Sequence, residues 1–358
     1  MKNERVSNVL KKMKEIQLSQ FLICDPLSIY YLTGTYIDPG ERFYALCLNE
    51  NGKHMIFINE LFIVPEELGI EKIWYSDISP IMDIVAKRMD YTKVLGVDKN
   101  LPARFLLPLQ EKKAAIGFVQ GSECIDKTRG CKDVSEQEKM KTVSKINDLA
   151  MAEFKKLIIQ GVTEKQMAEQ MLTIYKNLGA ENYSFEPLVA FGANAAEGHH
   201  IPNDTVLKAG DSVLLDVGCF KDMYCSDMTR TFFYKEVSKE HRKIYELVKK
   251  ANEAAIAELK PGMKLKEVDK IARNIINEAG YGPNFTHRLG HFIGLEVHEF
   301  GNVSSDNDEL VEPGMIFSIE PGIYLEGNMG VRIEDLVLIT EDGNIRLNQY
   351  TKELEIVS

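Results

Sequence analysis

Two pairs of acidic residues stand inside apolar runs of this chain, where a lone carboxylate is costly to bury. Asp216 is flanked by Leu214, Leu215 and Val217, and Glu320 by Phe317, Ile319 and Pro321. Each has a companion downstream, Asp227 in SDMTRTFF and Glu334 in VRIEDLVLI. Both stretches read as β-hairpins, and antiparallel partners share a constant sum of residue numbers. A turn centred between Lys221 and Asp222 sets Asp216 opposite Asp227, and a turn on Gly327 sets Glu320 opposite Glu334. Directly opposed Cβ atoms lie ~4.5–5.5 Å apart, and like charges there repel unless something neutralises them.

A misregistered hairpin that points its acids into solvent relieves one such conflict. Two equivalent pairs favour another answer. Four carboxylates are balanced by two divalent cations, and carboxylate-bridged metals ~3.5–4 Å apart activate water and polarise a carbonyl. A neutral imidazole completes such a donor set. Five of the seven histidines are candidates, His199 and His200 shortly before the first hairpin and His287, His291 and His298 shortly before the second. Cys219 and Cys225 flank the first turn, and their spacing fits packing better than thiolate ligation.

The order Asp216 in LLDVG, Asp227 in SDMTRT, His291 in GHFIG, Glu320 in SIEPG and Glu334 in VRIED resembles the pita-bread metallopeptidases, over roughly residues 135–350. A domain ahead of it resembles the prolidase, aminopeptidase P and creatinase branch. The resemblance implies metal ligation by these five residues, with Asp216 chelating one ion, Asp227 and Glu334 bridging, and His291 and Glu320 each binding one. It also implies a substrate-orienting role for His199 in EGHHIPND, and contact of His298 in the VHE segment with the scissile carbonyl. His287 matches a further substrate-side histidine, Tyr324 a position near the site, and Arg332 an arginine that braces a ligand carboxylate. His200 reads as a neighbour of His199 without a role of its own, and Thr229 either as a residue that only satisfies its polar strand or as one that bonds a ligand carboxylate. Oxygen-rich ligation with one imidazole suits two divalent ions, manganese first, then cobalt or zinc.

The branch implies hydrolysis of the bond before proline by a metal-bridging hydroxide, with Glu320 as proton carrier. Its dipeptidases carry an arginine between the VHE histidine and the fourth ligand, which holds the substrate carboxylate. Residues 299–319, EFGNVSSDNDELVEPGMIFSI, contain neither Arg nor Lys. That departure, together with the aromatic Phe292 after His291, favours an Xaa-Pro aminopeptidase over the alternative, an Xaa-Pro dipeptidase. A metal-free creatinase-like enzyme or a non-catalytic scaffold on the same fold would have lost ligands, and none is lost here.

These residues need rigid elements to bring them together. Ser135 with Glu138 reads as the capping box of a helix running to about Gln160. Thr163 with Gln166 caps a second helix that ends at Gly179. Ser238 opens another helix that stops at Pro261-Gly262, and one more ends at Gly280. Two helix pairs in the same order, each followed by glycine-punctuated strands, predict an internal duplication. The expected fold is α+β: a pseudo-two-fold catalytic domain over 135–358, with an antiparallel sheet covered by helices. A smaller α/β domain of the creatinase type precedes it over 1–125, joined by a linker at 126–134. In that first part FLIC (21–24), YALCL (44–48), HMIFI (54–58) and KVLGVD (93–98) read as buried strands, and 79–89 as a helix.

A length of 358 residues agrees with two domains. The net charge of −11 argues against nucleic acid and anionic membrane as partners. The six cysteines form no C-x-x-C pair and read as buried free thiols. The N-terminal MKNERVSNVLKKMKEI reads as an amphipathic helix rather than a signal peptide, so a cytoplasmic location is expected. The substrate expected is a proline-containing peptide, and the resemblance implies a homodimer.

Overall fold

Short apolar runs in the first third of the chain become strands of one mixed sheet. The computed structural model describes residues 1–358, which divide into two compact units, Met1–Arg129 and Gly130–Ser358. No helix is long and apolar enough to cross a membrane.

The first unit contains α1 (Asn3–Glu15), β1 (Gln20–Ile23), α2 (Pro26–Thr33), β2 (Ala45–Asn49), β3 (Met55–Asn59) and β4 (Glu71–Tyr75). These are followed by α3 (Ile81–Arg88), β5 (Val94–Val97), α4 (Ala103–Glu111), β6 (Gly117–Gln120) and α5 (Glu123–Gly130). The strand order is β4-β3-β2-β1-β5-β6. The four runs read as strands are β1, β2, β3 and β5. The two edge strands escape that reading for a physical reason: β4 alternates buried Ile73 and Tyr75 with exposed Trp74, and β6 buries none of its residues. Residues 126–129, expected within a linker, are helical and packed into this unit. Asp126 pairs with Lys99 at 2.7 Å, and Arg129 reaches Asp25 and Ser28.

The second unit opens with α6 (Val134–Phe154), capped by Asp133 with Glu136, two residues earlier than the Ser135–Glu138 pair. A tertiary bond makes the choice, because the buried Glu136 carboxylate also accepts from the Tyr224 hydroxyl at 2.8 Å. The helix ends at Phe154, packed edge-on against Tyr175, rather than near Gln160. Next come α7 (Glu164–Asn177), capped by Thr163 and Gln166, then β7 (Asn182–Tyr183) and β8 (Leu188–Phe191). The first hairpin consists of β9 (Ser212–Val217), β10 (Cys219–Lys221), β11 (Tyr224–Cys225) and β12 (Met228–Tyr234).

The second half repeats the plan with α8 (Lys239–Glu258), capped by Ser238, and α9 (Leu265–Glu278). On α9 the buried residues Leu265, Val268, Ala272 and Ile276 form a stripe at helical spacing. Then follow β13 (Gly290–His291), β14 (Asn302–Val303), β15 (Ile316–Ile319), β16 (Gly322–Leu325), β17 (Met329–Arg332) and β18 (Asp335–Ile339). Last are β19 (Asn344–Arg346) and β20 (Ile356–Val357), the latter parallel to β12.

Equivalent bonds recur in the two halves. Buried Asn147 on α6 donates to the Val217 carbonyl at 3.0 Å, and buried Asn252 on α8 donates to that of Ile319 at 2.8 Å. Thr163 bridges Val206 just before α7, as Lys264 bridges Leu310 just before α9. Left-handed Gly179 and Gly280, at φ 95° and 88°, follow α7 and α9. The duplication is thus visible in the contacts that hold each hairpin against its helices.

Candidate metal centre

The first hairpin has a different register from the one expected. Its turn is centred between Asp222 and Met223, both at positive φ (50° and 71°), with Lys221 paired to Tyr224. Asp216 therefore faces Thr229, and Asp227 lies beyond the start of β12. The sum of paired residue numbers shifts by two, an even step that leaves Asp227 and Thr229 on one face. The acid pair is therefore offset along the strands but not lost to solvent. The second hairpin keeps the expected register, with Gly327 left-handed at φ 70° and Gly322 paired to Arg332. Glu320 and Glu334 sit where pairing passes from β15–β18 to β16–β17.

The two hairpins meet edge to edge. The Glu334 N–H donates to the Thr229 carbonyl at 3.1 Å, and Thr231 exchanges hydrogen bonds with the Arg332 backbone. The strand β13 delivers His291 from the side. A Cβ at Gly290 would fall 1.8 Å from the Ser318 carbonyl oxygen, so only glycine permits this approach. The His291 N–H is tied to Ser318 Oγ at 3.0 Å. Its Nδ1 meets the Phe292 carbonyl at 3.2 Å, an acceptor only, so Nδ1 carries the proton and Nε2 presents its lone pair to the acids.

His291 Nε2 lies 3.5 Å from Asp227 Oδ2, 3.5 Å from Glu320 Oε1 and 3.9 Å from Glu334 Oε1. One ligand atom each from Asp227, His291 and Glu334 falls within 4.8 Å of the others. Three buried oxygens here, Asp216 Oδ1, Asp227 Oδ1 and Glu334 Oε1, receive no hydrogen bond. Native interiors rarely leave such oxygens unmatched. Convergent oxygens with no donor are the coordination a divalent cation needs, so the donor set fits a metal.

Left to the protein's own charges, the acids cannot all ionise. Burial, reinforced by Asp216 and Glu320, pushes the Asp227 carboxyl well above its usual range. Burial with Asp227 and Glu320 does the same to Glu334. Glu320 is held below its usual value: burial opposes this, but the neighbouring His291, His287 and Arg332 and the Ser318 hydroxyl outweigh it.

Arg332 organises the surroundings. Its Nη2 donates to Asp216 Oδ2 at 2.6 Å, its Nε to Thr229 Oγ1 at 3.0 Å and its Nη1 to the Tyr324 hydroxyl at 2.9 Å. The Thr229 hydroxyl donates to Glu334 Oε2 at 2.8 Å, so of its two readings the bond to a ligand carboxylate is the one made. His287 Nε2 lies 2.9 Å from the Tyr324 hydroxyl and its Nδ1 lies 2.7 Å from the Arg288 carbonyl. The only consistent assignment puts the proton on Nδ1, with Tyr324 donating to Nε2.

The five acid and imidazole ligand candidates, with His287, Tyr324 and Arg332, line one cavity of about 890 Å³ together with His199, His298 and Arg288. The His298 ring packs against His291, centroids 4.2 Å apart. Burial and then the neighbouring His291 lower its pKa to about 4, so it is neutral at pH 7. Its loop is held by Glu299, which accepts from the Leu295 N–H and pairs with buried Lys132 at 2.8 Å.

His200, read as a bystander, is not one. Its Nε2 lies 2.7 Å from Glu164 Oε2, and that fully buried carboxylate also accepts from the N–H groups of Asn203 and Phe191 and from Asn194 Nδ2. The pair pins the loop that carries His199. The sequence offered one hint, an acid in the first turn of α7 whose partner lies 36 residues away. Phe292 is buried in the core against Phe317, outside the cavity lining, so it does not face the cavity directly. Cys219 and Cys225 are buried free thiols, and burial pushes Cys219 up to about 12.

Residues 5–131 match the creatinase/prolidase N-terminal domain, and residues 138–341 match metallopeptidase family M24. The chain is 38% identical over 353 residues to an uncharacterized peptidase of Staphylococcus saprophyticus, covering 97% of this chain and 100% of that one. Among solved structures, the prolidase from Pyrococcus horikoshii superposes with a TM-score of 0.89 at 32% identity, covering 98% and 99% of the two chains. The X-Pro aminopeptidase from Thermotoga maritima gives 0.83 at 29% identity, covering 97% and 100%. Two hairpins with convergent acids, a lone imidazole with its Nε2 free, and whole-length likeness to peptidases lead to one conclusion: the chain belongs to metallopeptidase family M24.

Proposed function

We propose that this protein is an Xaa-Pro dipeptidase that works with two divalent ions, manganese first among them, held by Asp216, Asp227, His291, Glu320 and Glu334. The observation that carries the reading is the set of three undonated carboxylate oxygens in a cavity that also holds His199, His287 and His298. The full-length likeness to a prolidase supports the choice of dipeptide. When bound, such ions lower the pKa of water and polarise a carbonyl.

The protein's own groups do the remaining work. Proline offers no N–H and a fixed φ, so its peptide bond must be recognised through the carbonyl and the flanking groups. Neutral His298 donates a ring N–H to the scissile carbonyl oxygen as negative charge develops there. Glu320, ionised and steadied by Ser318 Oγ at 3.0 Å, takes the proton of the attacking water and delivers it to the departing proline nitrogen. Arg332 and Thr229 keep Asp216 and Glu334 aimed. His199 orients the substrate from the loop pinned by Glu164.

A second reading, an Xaa-Pro aminopeptidase, is favoured by the lack of any Arg or Lys in residues 299–319. Assay of manganese-loaded protein on Xaa-Pro, Xaa-Pro-Yaa and Xaa-Ala peptides separates the two. Faster turnover of Xaa-Pro supports the dipeptidase, faster turnover of Xaa-Pro-Yaa supports the aminopeptidase, and inactivity on both Xaa-Pro substrates rejects both.

A further inference from the structure

We propose that Arg288 binds the free carboxylate of the substrate's C-terminal residue and thereby makes the site select dipeptides. This inference rests on the Xaa-Pro reading above and deepens it. Apart from its histidines, the cavity lining offers two cations, Arg332 and Arg288. Arg332 is buried, and its nitrogens are taken by Asp216, Thr229 and Tyr324. Arg288 is exposed and its guanidinium makes no ion pair or hydrogen bond. Glu186, an acid on the same lining but outside the metal cluster, is not paired with it.

The backbone under that free side chain is tied on every side. Arg273 donates to the carbonyls of Phe285 at 3.1 Å and His287 at 2.8 Å. It is itself clamped by both oxygens of buried Asp269, at 2.7 and 2.9 Å. Asp269 also accepts from the Leu289 N–H at 3.2 Å, and His287 Nδ1 donates to the Arg288 carbonyl at 2.7 Å. Five residues are thus braced around one unengaged guanidinium. A fixed base lowers the ordering cost of binding, and the planar fork of arginine matches a carboxylate through two parallel bonds.

The substrate needs such a partner. A proline residue on the leaving side has no N–H to give, so its carboxylate is the strongest group left for recognition. Residues 299–319 supply no cation, and Arg288 does so from the segment before His291.

The test compares manganese-loaded wild type, Arg288→Ala and Arg288→Lys on an Xaa-Pro dipeptide and its C-terminal amide. The expected result is a wild-type preference for the free acid in kcat/KM. That preference should fall roughly 10- to 100-fold in Arg288→Ala, mostly through KM, and be partly kept in Arg288→Lys. Calorimetric binding of proline against prolinamide reads the same contact without turnover, and proline should lose affinity selectively in Arg288→Ala. An unchanged acid-to-amide ratio, or equal losses on both substrates and both ligands, overturns the proposal. If wild type turns over neither substrate, the dipeptidase reading fails, and the proline-to-prolinamide binding ratio of the variants still decides the role of Arg288.

Discussion

Arg332 Nη2 lies 2.6 Å from Asp216 Oδ2, and the two residues come from opposite halves of the duplicated domain. One half's cation therefore sets the orientation of the other half's acid, while the same guanidinium reaches Glu334 through Thr229. The centre is assembled only when the two hairpins meet.

Removing that brace should loosen the ligands without unfolding the protein. Arg332→Lys cannot reproduce three bonds from a planar fork, and outer contacts of this kind typically govern metal affinity by roughly 10- to 100-fold. Titration calorimetry with Mn²⁺ should show a loss in that range. An affinity within twofold of wild type would remove Arg332 from its bracing role.

The acid cluster should be a source of instability until metal is bound. Asp227 has its folded pKa raised, by burial first and then by Asp216 and Glu320, so its charge costs stability at pH 7. Asp227→Asn should therefore melt no lower than wild type in chelator. Wild type should gain stability with Mn²⁺, about 2.7 kcal/mol at a hundredfold excess over Kd, and the variant should gain far less. A variant that melts well below wild type in chelator contradicts this account.

A buried ion network near the centre should govern acid stability. Asp335 lies 2.7 Å from Arg230 and 2.9 Å from Lys352, all buried. Burial alone would raise its pKa, but Arg230, Lys352 and Arg346 outweigh that and lower it below the usual carboxylate value. A depressed folded pKa contributes stability that is present above the unfolded value and lost as pH falls through the folded one. Asp335→Asn leaves Arg230 without its anion and should cost about 3–5 kcal/mol near pH 7. Urea unfolding of both proteins from pH 7 downward should show the gap narrowing only below the ordinary carboxylate range. A gap independent of pH would rule out the ionic contribution.

The Glu164–His200 pair should act on the His199 loop and not on the metals. Glu164→Gln keeps the shape but weakens the bond to His200, and turnover should fall several-fold while Mn²⁺ affinity stays within about twofold. Equal loss of turnover and metal affinity would mean that the pair supports the whole domain instead.

Much of the site was legible in the chain because the signals are local and one-dimensional. Acids inside runs such as LLDVG and SIEPG conflict with burial wherever the fold places them, and glycine-ended helix pairs repeat at fixed spacing. Those facts suffice to group Asp216, Asp227, Glu320 and Glu334 and to predict the pseudo-two-fold domain, whereas the choice of His291 among five histidines came from the resemblance. The register of the first hairpin was not legible, since Asp222 and Met223 adopt left-handed backbone without any glycine to announce it. The start of α6 depended on Tyr224, 88 residues from Glu136, and the purpose of His200 on Glu164. That the aromatic Phe292 packs into the core was not legible either: it follows His291 directly, yet neighbouring strand residues face opposite sides. The sequence by itself determined which groups must be neutralised together. Only the tertiary structure decided which side chains are spent on one another and which, like the Arg288 guanidinium, remain free. Such pairing depends on distances between segments far apart along the chain, and no local pattern encodes those distances.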